Sequence, residues 1–144
     1  MIRNFIITTA TAALFGLTVL PASANSIFIE QFGWANSAGG DQSGSRNRIG
    51  VYQDGERNGA VVRQRGRNNT AAIGQQGRRN HADIWQRGSG NAAGVGQFGR
   101  DHNAILTQDG NGNIAAGVQV GKGCDGEVSQ SGSGNVAAFV QTCR

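Results

Sequence analysis

Glutamine recurs every 11 residues along the chain, at Gln31, Gln42, Gln53, Gln64, Gln75, Gln86, Gln97, Gln108, Gln119, Gln130 and Gln141. Two residues after each of the first ten comes Gly, from Gly33 to Gly132. Five residues after Gln comes Asn in eight of ten units: Asn36, Asn47, Asn58, Asn69, Asn80, Asn91, Asn113 and Asn135. Seven after comes Ala and nine after comes Val, Ile, Leu or Phe, each in eight of ten units. The unit is Q-x-G-x-x-N-x-A-x-φ-x, with φ a large apolar residue, and a fixed period of this kind marks stacked repeats.

An 11-residue period also suits a right-handed coiled coil. A Gly in every unit would cost such a helix about 1 kcal/mol each time. N-x-A-x-φ-x-Q instead alternates with period two, the pattern of a strand with one buried face. G-x-x then supplies the turn. One unit cannot bury its inward face alone, so units must stack. The expected fold is all-β, a β-solenoid of five 22-residue strand-turn-strand rungs built from 11-residue half-repeats. Rungs about 4.8 Å apart give a body on the order of 24 Å tall. Asn, Ala, φ and Gln share the inward face, and buried amides are costly unless paired. Stacked identical Gln and Asn side chains are expected to satisfy one another as ladders along the axis.

The first residues follow other rules. Arg3 precedes an uncharged apolar run from Phe5 to Leu20, and Pro21-Ala22-Ser23-Ala24 offers a small-residue cleavage site. Residues 1–24 therefore read as a signal peptide cleaved before Asn25, with an uncleaved anchor as the alternative, and 25–144 as the repeat domain. Removing 1–24 leaves 12 basic groups against 9 acidic, and 11 of the 12 are Arg.

The repeat, as in Gln64-Arg65-Gly66-Arg67-Asn68-Asn69-Thr70-Ala71 through to Gln75, resembles the curlin repeat of curli subunits from Ser26 to Gln141. The resemblance implies a secreted Gram-negative protein, kept soluble by chaperones in the periplasm and exported through a dedicated outer-membrane pore. It implies polymerisation with itself and other curli subunits into amyloid fibres at the cell surface, for adhesion and biofilm matrix. Both a major subunit and a nucleator-like minor subunit fit. The last third departs from the pattern: His102 and Cys124 replace Asn, Gly126 replaces Ala, and Cys143 replaces the final Gly.

An exposed strand edge at each end of a solenoid recruits further strands, and no Pro interrupts the repeat. The 22-residue register stacks Arg65, Arg87 and Asp109 in one column, Glu56, Arg78 and Arg100 in a second, and Arg57, Arg79 and Asp101 in a third. Arg65, Arg87, Arg78 and Arg100 are candidate charge gatekeepers that slow premature assembly; a solvated face maintaining solubility is the other reading. Specific nucleic-acid binding is not expected, because the register accounts for Arg63-Gln64-Arg65-Gly66-Arg67 without it.

Cys124 and Cys143 are expected to form a disulfide across the last two rungs, as exported pairs do, worth about 3 kcal/mol by loop closure. Crosslinking between molecules and free thiols are the alternatives. His102 beneath Cys124 suggests a metal only weakly, since the spacing matches no usual ligand set, and no metal or other cofactor is expected. No nucleophile, base and acid converge, so an enzyme is not expected. A monomeric solenoid binding a surface ligand would need a regular outward array of one residue type, and the outward residues here are mixed.

Overall fold

A computed structural model describes residues 24–144. The expected signal peptide, apart from Ala24, lies outside the described residues. Eleven strands occupy them: β1 (Ser26–Trp34), β2 (Ser37–Ser45), β3 (Arg48–Glu56), β4 (Gly59–Arg67), β5 (Thr70–Arg78), β6 (His81–Ser89), β7 (Ala92–Arg100), β8 (Asn103–Asn111), β9 (Ile114–Lys122), β10 (Asp125–Ser133) and β11 (Val136–Cys143). Odd-numbered strands form one six-stranded sheet and even-numbered strands a five-stranded one, in chain order. All pairing is parallel, each residue beside the one 22 positions on, as Gln53 beside Gln75 and Gln64 beside Gln86. The fold is the expected parallel β-solenoid, five rungs with β11 beginning a sixth.

The inward alternation holds through the middle rungs. Ala60, Val62, Ala82, Ile84, Ala104 and Leu106 are fully buried, as are Asn47, Asn69, Gln53, Gln86 and Gln108. The core is thus a thin slab, part apolar and part amide.

The strand boundary falls later than expected. Each strand starts just after the Asn position, held by His102 before β8 and by Cys124 before β10, and runs past Gln, so the chain turns at the fourth and fifth residues after Gln rather than at G-x-x. Two positions per unit take left-handed backbone. One is the Gly two after Gln; the other is the residue just before Asn, occupied by Ala35, Arg46, Arg57, Asn68, Arg79 and Asp101 as well as by Gly90 and Gly112. Side chains resist that conformation. It is held by continued stacking, since the Arg57 and Arg79 amides donate to the Trp34 and Glu56 carbonyls one rung below. The signal was present in the sequence: six of the ten residues at this position are Gly, Asn or Asp.

The irregular last rungs are a packing exchange. Gly117 stands where the unit has a large apolar residue, and Gly126 where it has Ala. A Cβ on either would collide with the Phe139 ring, which fills the space both leave. Gly117→Val, although it restores the repeat pattern, is therefore expected to destabilise by about 1–3 kcal/mol through overpacking. Adding Phe139→Val should recover most of that loss. Denaturant unfolding of both single variants and the double variant checks it, and simple additivity would contradict the exchange.

Candidate assembly surface

Each interior Gln reaches along the fibre-like axis of the solenoid and across it. Gln53, Gln75 and Gln97 donate from Nε2 to Oε1 of Gln75, Gln97 and Gln119, at 2.7–2.8 Å. The even strands repeat this through Gln64, Gln86, Gln108 and Gln130, at 2.8 Å. The second N–H crosses the core to the opposite sheet, as from Gln75 to the Gly59 carbonyl at 2.9 Å and from Gln86 to the Thr70 carbonyl at 3.0 Å. A carbonyl only accepts, so this contact fixes the orientation of each amide. The Gln columns are therefore polar, with every amide donating toward the C-terminal end.

The Asn column differs from the expected side-chain ladder. Asn Oδ1 accepts from the backbone N–H of the residue 22 positions on, as in Asn58 to Asn80 at 3.1 Å and Asn69 to Asn91 at 3.0 Å. Its Nδ2 donates to the carbonyl of the Gly 19 positions on, as from Asn58 to Gly77 at 3.0 Å and Asn91 to Gly110 at 2.9 Å. Asn is one methylene shorter than Gln and sits at the turn, so backbone groups are its nearest partners. Asn135 alone adds a side-chain bond, to Asn113 Oδ1 at 3.1 Å. The pairing explains why Asn and Gly recur together: the amide satisfies the glycine carbonyl of the next rung.

Both departures from Asn preserve the column. His102 is buried; its Nδ1 accepts from the Cys124 N–H at 3.1 Å and its Nε2 lies 3.2 Å from the Phe98 carbonyl. That network assigns the proton to Nε2, and both nitrogens are occupied by the column. Cys124 and Cys143 are joined by a disulfide with Cα atoms 5.5 Å apart, and Cys143 lies 19 positions on in sequence. This is the separation of the Asn–Gly pair, so the disulfide stands in place of that hydrogen bond.

At the ends the columns are open. Among the described residues, no group donates to Oε1 of Gln31 or Gln42, whose Nε2 groups bond upward to Gln53 and Gln64. Gln130 and Gln141 bond only to the Ile114 and Asp125 carbonyls through Nε2, leaving one N–H each. β1 and β2 are edges at one end, β10 and β11 at the other. One end offers two amide acceptors, the other two amide donors.

The charges lie outside. Arg65 stacks on Arg87 and Arg87 on Asp109. Glu56, Arg78 and Arg100 stack likewise, and the column extends to Lys122, which the sequence reading omitted. Among the described residues the ion pairs are Arg63–Asp83 at 3.3 Å and Arg79–Asp101 at 2.6 Å. Hydrogen bonding from Arg79 holds the Asp101 carboxyl below the usual carboxylate range, against a smaller opposing effect of burial. Arg65, Arg78, Arg87 and Arg100 thus face like charge without an ion pair. Arg57 lies over the Trp34 ring, 4.8 Å from its centroid.

Parallel strands in exact register, amide columns and edges unpaired among the described residues define a stackable β-solenoid. The chain belongs to the curlin associated repeat family, whose model matches residues 22–55, 45–77, 55–85 and 77–110. The rung geometry continues past the matched stretch to Cys143. No curated protein matches the chain.

Proposed function

We propose that the protein is an exported structural subunit of a curli-type amyloid fibre, built by head-to-tail stacking of solenoids and serving adhesion and biofilm matrix at the cell surface. The observation that carries this reading is the pair of polar Gln columns, open as acceptors at Gln31 and Gln42 and as donors at Gln130 and Gln141. Unlike ends that complement each other give an open filament rather than a closed oligomer. Membership in a structural repeat family supports the same reading. Purified protein should convert, after a lag, to filaments that bind thioflavin, and sonicated filaments should abolish the lag. A protein that stays monomeric even when seeded would refute it.

Export belongs to the proposal. Residues 1–24 act as the signal peptide, and mass spectrometry of the secreted protein should find Asn25 at its N-terminus. The Gln and Asn columns are the assembly elements, and the like-charged columns act as gatekeepers. Replacing Arg65, Arg78, Arg87 and Arg100 together by Gln removes the mutual repulsion that stacking would extend. The lag should shorten several-fold at low salt and change less at high salt. An unchanged lag would leave these residues the role of maintaining solubility.

A further inference from the structure

The strand count sets how one molecule must sit on the next. Strands alternate between the two sheets, and the eleven described strands end as they began, on the odd-numbered sheet. The next place in the winding is therefore on the even-numbered sheet, above β10. We propose that successive subunits stack with a half-turn about the fibre axis, the incoming copy laying its β1 on β10 and its β2 on β11. This deepens the fibre reading and rests on it.

Hydrogen bonding favours this register over same-face stacking. With the half-turn, the spare N–H of Gln130 meets Oε1 of the next copy's Gln31, and that of Gln141 meets the next copy's Gln42. Both open donors and both open acceptors are matched, and every edge strand gains a partner. Placing the next copy's β1 on β11 instead matches Gln141 alone. It leaves a strand-wide gap above β10, with the spare N–H of Gln130, a residue only 7% exposed in the free end, still without its partner. An unpaired buried strand edge is costly.

Side-chain size points the same way. In the half-turn register the Phe139 ring faces the next copy's Gly40, and Gly126 faces the next copy's Ile27. In same-face stacking Phe139 would face Ile29, large against large. Phe139 already fills the room left by Gly117 and Gly126, so the end has no slack for a second bulky group at that position.

The half-turn also alternates the two outer faces along each side of the fibre. The odd-numbered sheet presents small residues in its column Gly50, Ala72, Gly94 and Ala116. The even-numbered sheet presents Arg63, Arg65, Asp83 and Arg87. Neither a continuous charged strip nor a continuous flat strip then runs the length of the filament.

Crosslinking distinguishes the registers. Half-turn stacking sets the next copy's Ser37 beside Val136, whereas same-face stacking sets Ser26 there. Filaments of Ser37→Cys/Val136→Cys and of Ser26→Cys/Val136→Cys would be treated with a short bis-maleimide, which leaves the native disulfide intact. The first pair should give a ladder of covalent oligomers on a denaturing gel and the second almost none. Gly39→Cys/Ala138→Cys, also paired only by the half-turn, is the second test should the first variant fail to assemble. A ladder from the Ser26 pair, equal ladders from both, or no ladder from filaments of either half-turn pair would overturn the register. Filaments of the unmodified protein, checked by electron microscopy, report separately on the fibre reading, and their absence would remove both.

Discussion

Gly77→Ala should disrupt the middle rungs, costing at least about 4 kcal/mol. Gly77 has φ of +119°, and an added Cβ would overlap the Gly99 carbonyl oxygen one rung above. No rotamer relieves a collision between a Cβ and backbone, so either β5 and β7 separate or the β5 backbone shifts at Gly77. If the backbone shifts, the Asn58 amide loses the Gly77 carbonyl that it now holds. Gly74→Ala is the control. It lies three residues away on the same strand, with ordinary backbone and nothing within 4 Å of the added carbon. That variant should stay within about 1 kcal/mol of the parent, with a slight gain from a stiffer unfolded chain. Denaturant unfolding followed by circular dichroism, with hydrogen exchange at β5 and β7, reads both. Equal losses from the two variants would show that the glycine column is not a close backbone contact.

Gln86→Leu is expected to be nearly as damaging although it makes the core more apolar. Gln86 receives from Gln64, donates to Gln108 and donates across the core to the Thr70 carbonyl. Leu leaves the Gln64 N–H and the Gln108 Oε1 buried without partners, each at about 1–3 kcal/mol, and removes the cross-core donor from the Thr70 carbonyl, which keeps its place in the β5–β7 ladder. Loss of the cross-core bond adds about 1 kcal/mol and burial of the Leu side chain returns about 2 kcal/mol, so a net loss of about 1–5 kcal/mol remains. Gln42→Leu should cost less, because Gln42 lies at the open end and nothing among the described residues donates to its Oε1. The same unfolding measurement on both variants tests the contrast. A core stabilised by Gln86→Leu would mean that the Gln columns specify register without contributing stability.

The period in the sequence determined most of the architecture. A Gln every 11 residues with a two-residue alternation leaves little choice but strands stacked at i and i+22, and the inward set follows from the pleat. Periodicity does not fix where within the unit the chain turns. Any rotation of the motif has the same period, so periodicity alone is equally consistent with strands that end at Gln, three residues before β1 to β10 in fact end, and turn at G-x-x. The Asn partners are not legible in the sequence, because residue type suggests an amide ladder, while the short reach of Asn and its place at the turn select backbone groups instead. His102 in place of Asn, and Phe139 exchanged for Gly117 and Gly126, look like decay of the repeat when read along the chain. They are compensations between rungs, and only the stacked structure brings the exchanging residues together. The disulfide lies between these cases. Its spacing of 19 residues was visible in the sequence, but its equivalence to the Asn–Gly bond required the geometry of that bond.

X-ray fibre diffraction from aligned filaments of the purified protein tests most directly whether the rung stack continues from one molecule to the next. A sharp meridional reflection near 4.8 Å with an equatorial one near 10 Å is the expected pattern. A soluble protein with β circular dichroism that forms no filaments, or filaments lacking the 4.8 Å meridional reflection, would contradict it.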